Sequence, residues 1–141
     1  MWRQITERDL ESVLSRTEIE KFRLSAEGGD DPIAALLRQE CAYVRGCVRA
    51  GGRVALSADE EALPESLVMA AMEHLRHLVL TRMNVTVNES RTRAYERADE
   101  LLGRVRAGEF VPEAPTDAAD AAGSAARPAT GKTNPEKRLL D

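Results

Sequence analysis

The sequence predicts an all-α protein: a small bundle of about five helices, two short ones at the N-terminus and three longer ones, followed by an extended C-terminal tail. Three observations carry this. Apolar residues recur at helical spacing in each segment, nowhere at the alternating spacing of a strand. Charged residues make up 31% of the chain and aromatics only 4%, a balance typical of packed helices. The Gly and Pro clusters fall between the periodic segments, so strands are not expected. The length of 141 residues with 43% hydrophobic content suits one domain plus a tail, placed at 1–111 and 112–141.

Ile5-Thr6-Glu7-Arg8-Asp9-Leu10 has the form of a helix start, with Thr6 as cap, Asp9 three positions on, and Ile5 placed to staple onto Leu10. A short helix to about Leu14 is expected. Ser15 or Thr17 can cap a second one through Ile19 and Phe22, ended by Glu27-Gly28-Gly29-Asp30. Asp31 as cap and Pro32 at the first helical position then open a helix to about Ala50, with Ile33, Leu36, Leu37, Val44 and Val48 on one face and Gly51-Gly52 as its stop. Between Arg53 and Leu63 the pattern loosens into a connector, in which Ser57 and Glu60 can cap one turn of helix.

The organising element is Leu63 to Asn84. Leu67, Val68, Ala71, Met72, Leu75, Leu78, Val79 and Met83 form a broad apolar arc, and Glu73, His74, His77 and Thr81 crowd into a narrow polar strip. Pro64 is read at its first turn. A helix apolar over that much of its circumference touches more than one neighbour. Thr86 and Glu89 form a capping-box pair opening the last helix, where Tyr95, Ala98, Leu101, Leu102 and Val105 repeat before Gly108. Leu36, Val44, Leu67, Leu75, Leu78, Leu101 and Leu102 are the expected core. From Pro112 to about Thr133 the chain turns to Ala, Pro, Gly, Ser, Thr and Asp, too poor in apolar surface to offset the entropy of ordering.

Candidate chemistry is sparse. His74 and His77 stand i, i+3 beside Glu73, whereas the zinc-protease motif spaces its histidines i, i+4. They read as polar residues at a helix-helix or subunit contact, replaceable together by Gln with little effect on folding. Cys41 and Cys47 are separated by about 9 Å of helical rise, too far for a disulfide, and read as reduced core residues of an intracellular protein. Gly131-Lys132-Thr133 lacks the earlier glycine and the strand of a phosphate-binding loop, since position 126 is Ala. No Ser/His/Asp set emerges. No catalytic residue, metal or cofactor is expected, and the protein is expected to be no enzyme. The N-terminus lacks the apolar stretch of a signal peptide, and Arg76, His77 and Arg82 interrupt the most apolar run, so a soluble protein without membrane contact is expected. The sequons at Asn84 and Asn88 then mean little, since without secretion no glycan is added. The net charge of -4 argues against a dedicated nucleic-acid binder. Leu10 to Phe22 can still be drawn as a helix-turn-helix carrying Arg16, Lys21 and Arg23, which makes a small DNA-binding module the alternative reading.

In order and spacing, ITERDLESVL, DPIAALLRQECAYVRGCV, LPESLVMAAMEHLRHLVLTRM and RAYERADELLGRVRAGEF resemble the tailed-phage head-to-tail connector (adaptor, head completion) family, over about Ile5 to Val111. The resemblance implies a structural virion protein at the neck, assembled in the host cytoplasm, that forms a ring beneath the portal protein and joins the DNA-filled head to the tail. Its implied partners are the portal, a tail or stopper protein, and copies of itself, commonly twelve; genomic DNA passes through the lumen without sequence-specific binding. Gly51 to Leu56 departs from the family, which often has an aromatic-Pro-Leu segment there, and the tail after Val111 is longer than the family core. Charge complementarity suggests subunit contacts between Arg91, Arg93 and Arg97 and a neighbour's Asp59, Glu60 and Glu61. Pro112 to Thr133 is expected to act as a tether, with Arg138, Leu139 and Leu140 anchoring on the portal.

Overall fold

The computed structural model describes residues 1–26 and 28–118. Five helices form the body: α1 (Glu7–Leu10), α2 (Arg16–Ser25), α3 (Pro32–Gly51), α4 (Glu65–Arg82) and α5 (Glu89–Arg106). The three long helices pack against one another pairwise, and α1 and α2 close one side. α4 and α5, joined by a short link, form a helical hairpin. Leu75 and Leu67 on α4 are fully buried, as are Val44 on α3 and Leu102 on α5. Leu36 is buried as well, whereas Leu78 and Leu101 lie at the edge of the core, half-buried. Among the described residues, no helix is long and apolar enough to cross a membrane.

The helix starts follow the chemistry of their caps. Asp9 accepts the Thr6 backbone N–H, Ser15 and Glu18 bond each other's backbone N–H, and Asp31 accepts from Ile33. Four boundaries differ from the sequence expectation. The first helix is one turn ending at Leu10, because Ser12 takes the Asp9 carbonyl and the chain turns before Leu14. Asn88, rather than Thr86, caps α5 by accepting from the Arg91 N–H; Asn84 with φ 57° has already turned the chain, leaving residues 85–87 outside the helix. Ser57 and Glu60 start no helical turn, because Ser57 Oγ takes the Asp59 N–H instead. Pro64 stands one residue before α4, as its cap.

Pro64 also ends a strand. Two strands form, β1 (Trp2–Gln4) and β2 (Ala62–Pro64), paired antiparallel with Trp2 opposite Pro64 and Gln4 opposite Ala62. This corrects the expectation of no strands. Segments of three residues are too short to show an alternating pattern, and their partners lie far apart in sequence. Residues 112–118 return to the body, first beside this sheet and then at the loop before β2. Trp2 Nε1 donates to the Glu113 carbonyl at 2.8 Å, and the Glu113 carboxylate takes the Ser66 hydroxyl and the Met1 ammonium. Burial pushes the Glu113 carboxyl up, but these donors more than offset it and hold it at about 2. Ala118 pairs with Ser57, and Asp117 accepts from the Ala58 N–H and the Ser57 hydroxyl.

The C-terminal ends of α3 and α5 cross in direct contact at glycines. A Cβ on Gly51 would fall 2.2 Å from the Val105 carbonyl oxygen, and one on Gly108 would fall 3.2 Å from the Gly51 carbonyl. Gly51→Ala is therefore expected to destabilise the protein by about 1–3 kcal/mol despite alanine's better helix propensity. Gly46→Ala, in the same helix with nothing within 4 Å of the new methyl, should instead add about 0.5–1 kcal/mol. Chemical denaturation of the two variants checks the contrast, and equal effects would place no crossing at Gly51.

Candidate functional site

On α4, His74 faces α3 and α5 together. Its Nδ1 donates to both oxygens of Glu40, at 2.8 and 2.9 Å, and Glu40 is 1% exposed. The Glu40 hydrogen bond raises the His74 pKa above its ordinary value, against the effect of burial. Aromatic rings enclose the pair. Tyr43 of α3 stacks on His74 with centroids 5.1 Å apart, and Tyr95 of α5 lies against both His74 and His77, the latter at 3.8 Å. Arg106 continues the series by donating to the Tyr43 hydroxyl at 2.7 Å. Of the polar strip of α4, the two histidines lie at helix contacts, and His74 carries more than the sequence implied. Replacing both histidines by Gln is not neutral here, because Glu40 would lose its charged partner inside the core.

Glu40 and Tyr43 went unrecognised in the sequence, and Tyr95 was read only as part of the apolar repeat of α5. The signal lay in register: Glu40 is four residues from both Leu36 and Val44, on the apolar face of α3, and a carboxylate there needs a donor. The arrangement can share a proton between imidazole and carboxylate. Among the described residues no hydroxyl or thiol hydrogen-bonds to His74, and no cluster of three or more His, Cys, Asp or Glu side chains has a metal-binding arrangement. Both cysteines are buried and unpaired with each other; burial pushes the Cys41 thiol up, the opposite of a reactive nucleophile.

A second constellation holds the loop before β2. Arg45, 7% exposed, donates to the carbonyls of Asp59 and Ala62 at 2.9 Å and of Ser57 at 3.0 Å, with its guanidinium 5.8 Å from the Trp2 ring centroid. Asp59 in turn accepts the Glu61 N–H and Gln4 Nε2, and these bonds hold its carboxyl below the usual range. A buried cation thereby fixes the shape of a corner whose Glu60 and Glu61 side chains point outward, both exposed.

The arginines of α5 divide. Arg91 pairs with Glu18 of α2 at 2.8 Å, holding that carboxyl at about 2. Arg93 pairs along its own helix with Glu89, and it and Arg97 are exposed. The structure does not bring the α5 arginines and the corner acids together. Cys41 and Arg45 meet the corner, whereas Tyr43 and Cys47 meet Arg106 of α5. At about 3.6 residues per turn, each of the latter stands roughly 200° around α3 from its counterpart. The acidic corner and the arginine helix therefore occupy opposite flanks of α3. Arg138, Leu139 and Leu140 lie outside the described residues. Comparison of the chain with family models, with curated proteins and with solved structures gives no match.

Proposed function

We propose that this chain is a structural subunit of a tailed-phage neck, a head-to-tail connector that assembles as a ring beneath the portal and joins the DNA-filled head to the tail. The observation that carries this reading is that exposed acids of the corner and exposed arginines of α5 lie on different sides of α3. A closed ring needs two different, complementary surfaces on opposite sides of each subunit, because every contact is heterologous. Glu60 and Glu61 on one flank and Arg93 and Arg97 on the other supply such a pair, on a rigid helical body whose helix order resembles the connector family. Arg91 serves the subunit itself through Glu18, and Asp59 shapes the corner. The lumen carries DNA without sequence-specific binding, in keeping with a net charge of -4.

The alternative, a helix-turn-helix module, has less support. α1 is a single turn, and Arg23 is surrounded by the carboxylates of Glu7, Glu20 and Asp31, which leaves little positive charge for a phosphate backbone.

The test is charge reversal with rescue. Arg93→Glu with Arg97→Glu is expected to abolish rings on purified portal, seen by negative-stain electron microscopy, and adding Glu60→Arg with Glu61→Arg to the same chain is expected to restore them. Unchanged rings, with unchanged salt dependence, in the first variant would overturn the pairing. Failure of the unaltered chain to engage any portal or tail component would overturn the connector reading.

A further inference from the structure

Between α3 and the acidic corner runs an open groove of about 400 Å³. Its floor is apolar, formed by Ile5, Leu37 and Cys41; Arg38 stands on one rim and Glu60 and Glu61 on the other. A second recess of about 510 Å³ adjoins it, sharing Ala42 and Glu60 and reaching Ser57. The described chain ends at that recess, since Ala118 is bridged to Ser57. The chain beyond Ala118 therefore starts from the recess beside the groove.

From 119 to 133 the sequence is Ala-rich, six of fifteen residues, and after Asn134 it reads Pro-Glu-Lys-Arg-Leu-Leu-Asp. Two adjacent leucines with two cations before them and an acid after them match the groove in chemistry. The apolar pair suits the floor, Lys137 and Arg138 suit Glu60 and Glu61, and Asp141 suits Arg38. Reach is sufficient. A random coil of fifteen residues, the length of 119–133, has a root-mean-square span of about 20 Å, so a segment tethered at the recess beside the groove samples it at an effective concentration on the order of millimolar.

We propose that residues 134–141 dock in this groove of their own chain, with Leu139 and Leu140 on the Leu37–Cys41 floor and the Lys137–Arg138 pair on Glu60 and Glu61. The docked segment covers the acidic corner. Resting on the connector reading, the groove and the portal then compete for the same two leucines. Docking itself requires no ring and no portal.

The experiment compares amide ¹H–¹⁵N spectra of the full chain with those of its Leu139→Asp/Leu140→Asp variant, without portal, over a wide dilution series. The expected result is a shift difference at Leu37, Cys41, Ala42 and Glu61 that is the same at every concentration, with the 134–141 amides of the unaltered chain relaxing like those of the helices. Glu60→Lys/Glu61→Lys is expected to release the segment while leaving the α4 and α5 resonances in place. Coincident groove resonances in the unaltered and leucine-altered chains would overturn the proposal. A difference that fades on dilution would overturn it too, in favour of docking between copies. Either failure leaves the portal assembly test untouched, and failure of that test leaves the spectral result standing.

Discussion

Replacing His74 with alanine is expected to destabilise the fold by about 3–5 kcal/mol, the range for removing one partner of a buried ion pair. Glu40 would remain with no described donor in a site that is 1% exposed. Replacing both residues with leucine should cost much less, because it removes the stranded charge along with its partner. Urea unfolding of the single and double variants decides this, and a double variant as damaged as the single one would sink the pairing. The same contact sets a pH dependence. Because the folded state raises the His74 pKa above its ordinary value of 6.5, folding binds the imidazole's proton more tightly than the unfolded chain does. The pair's contribution is fully present below 6.5 and is lost as pH rises through the raised folded value. Unfolding free energy should fall over that interval in the unaltered protein and stay flatter in the leucine pair.

Arg45→Ala is expected to have the second large effect, about 3 kcal/mol, since it takes a charged donor from the carbonyls of Ser57, Asp59 and Ala62, of which Asp59 keeps the Ala62 N–H. Lysine should rescue little, because a single ammonium cannot reproduce the fork that spans three acceptors. Amide exchange distinguishes this from general loosening. Protection at Ala58 and Ala62, whose N–H groups bond the Asp117 and Asp59 carbonyls, should drop before that of α4 and α5, and a uniform loss would show that Arg45 does not hold the corner specifically.

The long helices were legible because each of their signals is local. Asp31-Pro32, Gly51-Gly52 and the apolar repeat of α4 act within a few residues of one another, and spacing alone recovers them. What was not legible depends on partners distant in sequence. β1 reads as nothing until Ala62–Pro64 lies beside it, and Glu113 reads as tail until Trp2 and Ser66 donate to it. Arg45 is the same case: its spacing places it near the core face, but only the loop that folds over it explains a cation at 7% exposure. For the candidate site, charge made the exposure of Glu60, Glu61, Arg93 and Arg97 legible, but it could not tell that Arg91 is committed to Glu18 within the subunit, or that α3 separates the two flanks.

The way residues 112–118 lie across the body has a mechanical meaning. Tension on the chain beyond Ala118 does not reach α5 first. It loads the Ser57–Ala118 bridge, then Asp117 on Ala58, and only afterwards Glu113 on Trp2 and Ser66. These bonds break in sequence from the outer end. Each residue freed adds about 3.3–3.6 Å of contour, so the whole segment pays out roughly 25 Å of slack while the helical core stays folded. A subunit pulled by its C-terminal end thus yields in small steps at its surface, and the crossing of α3 and α5 bears load only once that reserve is spent.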